Sequence, residues 1–280
     1  MRILIAIYGS SHDTAALYLG ARLALRSSSR PTLLTLTPVR PEQPQAPAHA
    51  SEYLERQGLE VDELIRAGDP AEVILQEAVA GNFGLVVLGH GNNASRLPGM
   101  RGVPTSLRIV KRAPCAVLVV KGAARPIARI LLCDSGAENL STGLPNCSGP
   151  SCFRRFSVKL AELFAPGVEV TVLHVMSQMS AGPGVRGKEL RAAAEELIQE
   201  RTPEGELLER DVETLAHARL QTHAAVRHGL VLDEILNEAR SGDYDLVVIG
   251  AHRVQGWQRV LLDDLTHKLV LQLDRPVLVV

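Results

Sequence analysis

The chain has 280 residues, enough for two ordinary domains that each bury a core, and its 30 Lys and Arg against 31 Asp and Glu leave a net charge of −1. That balance, with no basic stripe interleaved with aromatics, excludes nucleic acid as an electrostatic partner. No apolar stretch approaches the roughly 20 residues of a membrane span, which excludes a membrane protein built on helices.

Apolar residues make up 46% of the chain but aromatics only 3%, so the core is aliphatic, as parallel strands buried on both faces require. In the first half, strands are expected near 2–8, 32–38, 60–67, 84–89 and 115–120. Helices are expected near 13–26, 70–80 and 104–112, with a short piece near 50–58. Asp69-Pro70 is a helix start, an N-cap acceptor followed by a preset φ. In the second half, strands are expected near 129–133, 167–175, 220–227, 244–250 and 276–280. Phe153, Phe156, Leu160 and Leu163 recur at helical spacing, and Leu190, Ala194 and Leu197 mark a longer, charged helix. Alternating strands and helices imply right-handed crossovers and a parallel sheet.

The two halves repeat one another. Arg2-Ile3-Leu4-Ile5 answers to Arg129-Ile130-Leu131-Leu132, Leu85-Val86-Val87-Leu88-Gly89 to Leu246-Val247-Val248-Ile249-Gly250, and Pro114–Val120 to Pro276–Val280. From Gly89 to Val120 is 31 steps and from Gly250 to Val280 is 30. The expected domains are 1–121 and 129–280, joined by a short basic linker at Lys121–Ala128. The fold class expected is α/β, two Rossmann-like domains, each a five-stranded parallel sheet with helices on both faces, packed as a pseudo-dimer.

Several signatures in order carry a resemblance. They are Ile7-Tyr8-Gly9-Ser10 after the first strand, Gly68-Asp69-Pro70-Ala71-Glu72 after the third, Leu85–Gly89, and Arg112-Ala113-Pro114-Cys115 leading into the last strand. With these the chain resembles the universal stress protein family over nearly all of both halves, more strongly in the first. The resemblance implies Rossmann-like domains, a role in stress tolerance, and ATP binding in one subgroup, while another subgroup lacks nucleotide.

The nucleotide-binding subgroup carries Gly-x-x-Gly, nine residues, then Gly-Ser/Thr after the fourth strand, where glycines admit phosphate to the backbone and a helix start supplies positive potential. Gly89 and Gly102 match this pattern, Asn92 replaces its second glycine, and Val103-Pro104 precedes Thr105 and Ser106. The resemblance thus implies a degenerate ATP site in the first repeat made of Tyr8, Gly9, Ser10, Gly89, Gly91, Arg96, Gly99, Arg101, Gly102, Thr105 and Ser106. The family's acidic residue at the first strand, which contacts the adenosine portion, matches Asp134 in the second repeat but Tyr8 in the first. In the second repeat Gly250 is kept, Arg253 replaces a glycine, and Asp263-Asp264 stands where Gly-Ser belongs. No nucleotide is expected there; the alternative for either aspartate is a cap on the last helix.

Other features weigh less. Gly89-His90-Gly91-Asn92-Asn93-Ala94 fits a dinucleotide fingerprint poorly, because it follows a fourth strand and Pro98 interrupts the helix that should follow. Cys147, in the polar loop Gly136–Ser151, and Cys152, just after it, have no further metal ligands nearby, so free thiols in a dispensable loop are expected. Cys115 and Cys133 read as small core residues. His223 and His228 read as unpaired surface histidines, and Trp257, in the loop after Gly250, as a packing residue before a base-stacking one.

The function expected is a cytoplasmic stress-response protein that binds ATP in its first repeat and regulates, with slow hydrolysis at most. The alternative is a nucleotide-free scaffold that acts through protein contacts or another ligand. The partners expected are the two repeats themselves, meeting through their last strands, and protein partners of unknown identity; a homodimer of the whole chain stays open. No metal is expected.

Overall fold

The computed structural model describes residues 1–37, 46–91, 103–134, 158–164, 167–176, 193–250 and 257–280. The loop at 136–151 with Cys147, and the residues Cys152, Phe153, Phe156, Leu190 and Arg253, lie outside the described residues. The chain divides into two compact units, 1–125 with 274–279 and 126–273 with Val280.

The first unit follows the expected order. Strand β1 (Ile3–Ile7), helix α1 (Asp13–Arg26), β2 (Thr32–Thr37), α2 (Ala46–Arg56), β3 (Asp62–Ala67), α3 (Pro70–Ala80), β4 (Leu85–Gly89), α4 (Thr105–Arg112) and β5 (Ala116–Val120) succeed one another. Their sheet runs β3-β2-β1-β4-β5 with every one of these pairings parallel. β1 and β4 are aliphatic runs buried at all five positions, because helices cover both faces of an interior parallel strand. β3, at the edge, is exposed along most of its length and carries the charges that discourage further pairing, with Arg30 bound to Asp62 at 2.6 Å. Asp69 caps α3 as its sequence requires, accepting from the backbone N–H of Ala71 and Glu72 at 3.1 Å each.

The sixth strand of this unit comes from the far end of the chain. β10 (Val277–Val279) pairs antiparallel with β5, in the register Val277 to Val119 and Val279 to Val117. The last strand of the second repeat therefore lies beside the last strand of the first, as expected of two edges that would otherwise be open. Residues 274–279 count with the first unit by their contacts.

The second unit repeats the pattern with β6 (Arg129–Asp134), β7 (Glu169–Met176), β8 (Gln221–His228) and β9 (Leu246–Ile249), in the order β9-β6-β7-β8, all parallel. Val280 closes it by donating its N–H to the Ile249 carbonyl at 3.0 Å.

Three expectations need correction here. The charged helix after Leu190 is two helices, α5 (Ala194–Gln199) and α6 (Pro203–His217), because Thr202 caps the second by accepting from Gly205 N–H at 3.1 Å and Pro203 cannot continue the first. His223 is not unpaired: its Nε2 lies 3.2 Å from Glu169 Oε1 on the adjacent strand. The last helix follows α7 (Val231–Ser241) and is α8 (Trp257–Gln272), so Trp257 opens a helix rather than sitting in a loop, and Asp263 and Asp264 lie in the helix interior rather than at a cap. Asp264 pairs with Lys268, one turn on, at 2.6 Å. Cys133 is buried in β6, and Cys115, one residue before β5, is partly buried.

Candidate functional site

In the first unit the strand order reverses direction at β1, since β2 and β3 build outward on one side and β4 and β5 on the other. The crevice outside the carboxyl ends of β1 and β4 is the place where open α/β sheets take their ligands. The described candidate residues converge on it. Tyr8, Gly9 and Ser10 follow β1; Gly89 ends β4 and Gly91 lies just beyond; Thr105 and Ser106 open α4. Arg96, Gly99, Arg101 and Gly102 lie outside the described residues.

The turn after β1 is organised by Asp13. Its Oδ2 accepts hydrogen bonds from the backbone N–H of Tyr8 at 2.9 Å, Gly9 at 2.7 Å and Ser10 at 3.0 Å. Gly9 makes this convergence possible by taking φ of 84°, a conformation that other residues adopt rarely. Three amides on one oxygen favour the ionised acid, yet burial dominates and pushes the Asp13 carboxyl up to about 6. Its other oxygen, Oδ1, is buried with no hydrogen-bond partner among the described residues.

Two contacts tie β1 to β4 across the crevice. The Tyr8 hydroxyl, buried at 8% exposure, donates to the Gly89 carbonyl, and His12 Nδ1 donates to the His90 carbonyl. Burial, with the Asp13 charge nearby, pushes the Tyr8 hydroxyl pKa up, so it remains a donor. The approach is close: a Cβ on Gly89 would stand 2.6 Å from the His12 carbonyl carbon and 2.8 Å from the Asp13 nitrogen. Gly89 is therefore required by the chain's own packing, independently of any ligand.

His90 connects the crevice to α4 and β5. Its Nδ1 shares a 2.8 Å hydrogen bond with Ser106 Oγ, and its backbone N–H donates to the Val120 carbonyl at 2.8 Å. Burial, followed by the charges of Lys121 and His12, holds its imidazole down to about 4, so it is neutral at physiological pH. Thr105 and Ser106 are themselves buried, at 2% and 0% exposure. Lys121 is buried too, at 7%, and desolvation lowers its ammonium to about 8 against the favourable charge of Asp274. The sequence pattern does not single out Asp13, His12, or Lys121 as site residues, and it places His90 only within a weak glycine motif.

The corresponding end of the second unit lies at the carboxyl ends of β6 and β9. Asp134 ends β6, paired in register with His174, and the residues after β9 at 251–256 lie outside the described residues. Among the described residues no group of three or more His, Cys, Asp or Glu could hold a metal ion. Among the described residues no helix is long and apolar enough to cross a membrane.

The sequence pattern of the universal stress protein family matches the chain twice, over residues 1–121 and 155–280. The chain belongs to the universal stress protein family. Its fold is shared with a universal stress protein from Archaeoglobus fulgidus DSM 4304, at 13% identity and a TM-score of 0.65, over 99% of this chain and 95% of that one. It is shared equally with a functionally unknown protein, PA1789, from Pseudomonas aeruginosa PAO1, at 19% identity and a TM-score of 0.66, over 100% of this chain and 92% of that one. No curated protein matches the sequence. As a tandem universal stress protein, the chain carries one Rossmann-like repeat in each half, and the crevice of the first is lined by the residues just described.

Proposed function

We propose that this universal stress protein works in the cytoplasm as a regulatory binding protein, taking one adenine nucleotide, ATP, in the first repeat and none in the second. The reading extends to the repeat boundaries 1–121 and 129–280. What supports it is the convergence of Tyr8, Gly9, Ser10, Gly89, Gly91, Thr105 and Ser106 on the switch point of the first sheet, beside the start of α4. Nucleotide entry then requires the Tyr8 hydroxyl to leave the Gly89 carbonyl, so affinity is reduced by the cost of opening. Among the described residues the hydroxyl paired with the neutral His90, that of Ser106, is fully buried. The role in this reading is regulation, with slow hydrolysis at most.

A second reading, a nucleotide-free scaffold, is favoured by one observation: the crevice groups already satisfy one another, Tyr8 with Gly89 and Ser106 with His90. Mass spectrometry of small molecules released on denaturing the freshly purified protein separates the two. ATP or ADP at near one equivalent supports the first reading; no nucleotide, even after incubation with millimolar ATP, supports the second.

A further inference from the structure

The turn between β1 and α1 holds a carboxylate whose two oxygens have different surroundings. Asp13 Oδ2 accepts the backbone N–H of Tyr8, Gly9 and Ser10 at 2.9, 2.7 and 3.0 Å. Oδ1 is buried with no hydrogen-bond partner among the described residues, and the residue as a whole is 7% exposed. The Ser10 hydroxyl favours the charged acid from nearby, without hydrogen-bond geometry to Oδ1. Burial is the largest influence on this carboxyl, and no cation is among the others. The charged and titratable groups around it are engaged elsewhere. His12 turns its Nδ1 to the His90 carbonyl, and His90, beyond β4, is held on Ser106 of α4. Lys121, beyond β5, acts on His90, and on the α2 side Tyr53 faces Tyr18 and Arg22, further along α1. A buried carboxylate oxygen without a donor penalises the charged form, so the closed turn prefers the protonated acid. The proton belongs on Oδ1, because three amides already fill Oδ2.

Tyr8 couples this acid to the crevice. Its N–H is one of the three on Oδ2, and its hydroxyl closes on the Gly89 carbonyl. The packing leaves no slack, since a Cβ on Gly89 would meet the Asp13 nitrogen at 2.8 Å. Drawing Tyr8 away from Gly89 therefore shifts the Asp13 turn and lets water reach Oδ1.

We propose that Asp13 is a proton-operated latch on the crevice of the first repeat. The protonated acid holds the crevice closed; ionisation, with the proton passing from Oδ1 to water, favours the open form that takes a ligand. Proton and ligand are then antagonists, each weakening the other by the same factor. As regulation of a nucleotide site the inference rests on the reading above, while the latch itself is a property of the unliganded chain. A carboxyl that titrates at about 6 when closed and near the ordinary 3.8 when open shifts the balance toward closure about tenfold between pH 7 and pH 5.

The test takes two readouts on the full chain, wild type against Asp13→Asn, whose amide keeps an acceptor for the turn and cannot ionise. Hydrogen exchange of the Tyr8, Gly9 and Ser10 amides, corrected for intrinsic rates, reads the latch without ligand. Protection is expected to rise about tenfold from pH 7 to pH 5 in wild type and to stay level in the variant. Calorimetric titration with ATP reads the effect on binding. Affinity should fall about tenfold further in wild type than in Asp13→Asn over the same interval, His90 and the titration of ATP itself being common to both. Should Asp13→Asn not fold, carbon NMR of the wild-type Asp13 carboxyl decides: a midpoint at about 6 is expected, and one in the ordinary range around 3.8 overturns the latch. Acid-dependent protection without ATP binding at either pH supports the latch and removes the nucleotide reading. ATP binding and protection that follow the same pH course in both proteins overturn the latch and leave the nucleotide reading in place. Level protection with no ATP binding overturns both.

Discussion

The Tyr8 hydroxyl donates to the carbonyl of Gly89, joining the carboxyl ends of β1 and β4 across the one place where the first sheet changes direction. An acidic residue at this position would leave the crevice open and charged. A tyrosine fills it and satisfies the buried Gly89 carbonyl. The first repeat is in this sense closed over its own switch point, and its ligand behaviour depends on what that closure costs to undo.

Tyr8→Phe keeps the ring and leaves the Gly89 carbonyl without its donor. The unmet acceptor should lower stability by about 1–3 kcal/mol in urea unfolding. Tyr8→Ala removes the ring as well and should lower stability further while raising ATP affinity, because the crevice no longer has to open. A Tyr8→Phe protein as stable as wild type would show that the hydroxyl bond contributes nothing.

His90 gives a pH signature. Its folded value, about 4, lies below the 6.5 of an unperturbed histidine, so between those limits the folded state binds fewer protons than the unfolded one. The sign follows: its contribution is present in full above pH 6.5 and is lost as the pH falls toward 4. Asp13 works the other way, since its raised value, about 6 against 3.8, makes the folded state the better proton binder below pH 6. The difference between wild type and His90→Gln isolates the histidine. Wild type should lose stability relative to the variant on going from pH 7 to pH 5, with a slope of up to about 1.4 kcal/mol per pH unit. Parallel stability curves for the two proteins would show that His90 is not held neutral.

Much of this architecture was legible because burial leaves little choice. β1, β4 and β5 are aliphatic runs with the interior of a parallel sheet as their only suitable environment, and Asp69-Pro70 starts α3 where its chemistry says it must. The misses have local causes. α2, expected near 50–58, begins at Ala46, where Pro47 is a helix-start signal overlooked in a proline-rich stretch. Thr202-Pro203 breaks what the apolar spacing alone reads as one helix. In α8, Asp263 and Asp264 look like caps only if the helix is started six or seven residues too late.

The candidate site was legible where it is local and not where it is assembled. Tyr8, Gly9 and Ser10 form a contiguous turn, and Gly89 and Gly91 announce themselves as glycines after a strand. The contact of His12 with His90 spans 78 positions, and nothing at either position signals the other. Lys121 reads as the start of a linker because a charge follows an aliphatic run; it is buried where β10, some 150 residues later, lies along β5.

That last strand has its own test. Deleting Pro276–Val280 removes three fully buried side chains and bares the edge of β5. The truncated chain should lose several kcal/mol of stability or aggregate, with the loss seen by probes in the first unit as well as the second. Retention of full stability would show that the β5–β10 ladder does not support the fold of the first unit.

The central claim, one nucleotide site per chain and in the first repeat, is tested most directly by calorimetric titration of ATP into the intact protein. The account predicts a single site, tightened by Tyr8→Ala, weakened by Gly102→Asp, and unchanged by Asp263→Gly in the second repeat. Two equivalent sites per chain, or one site lost on changing the second repeat and indifferent to Tyr8, would contradict it.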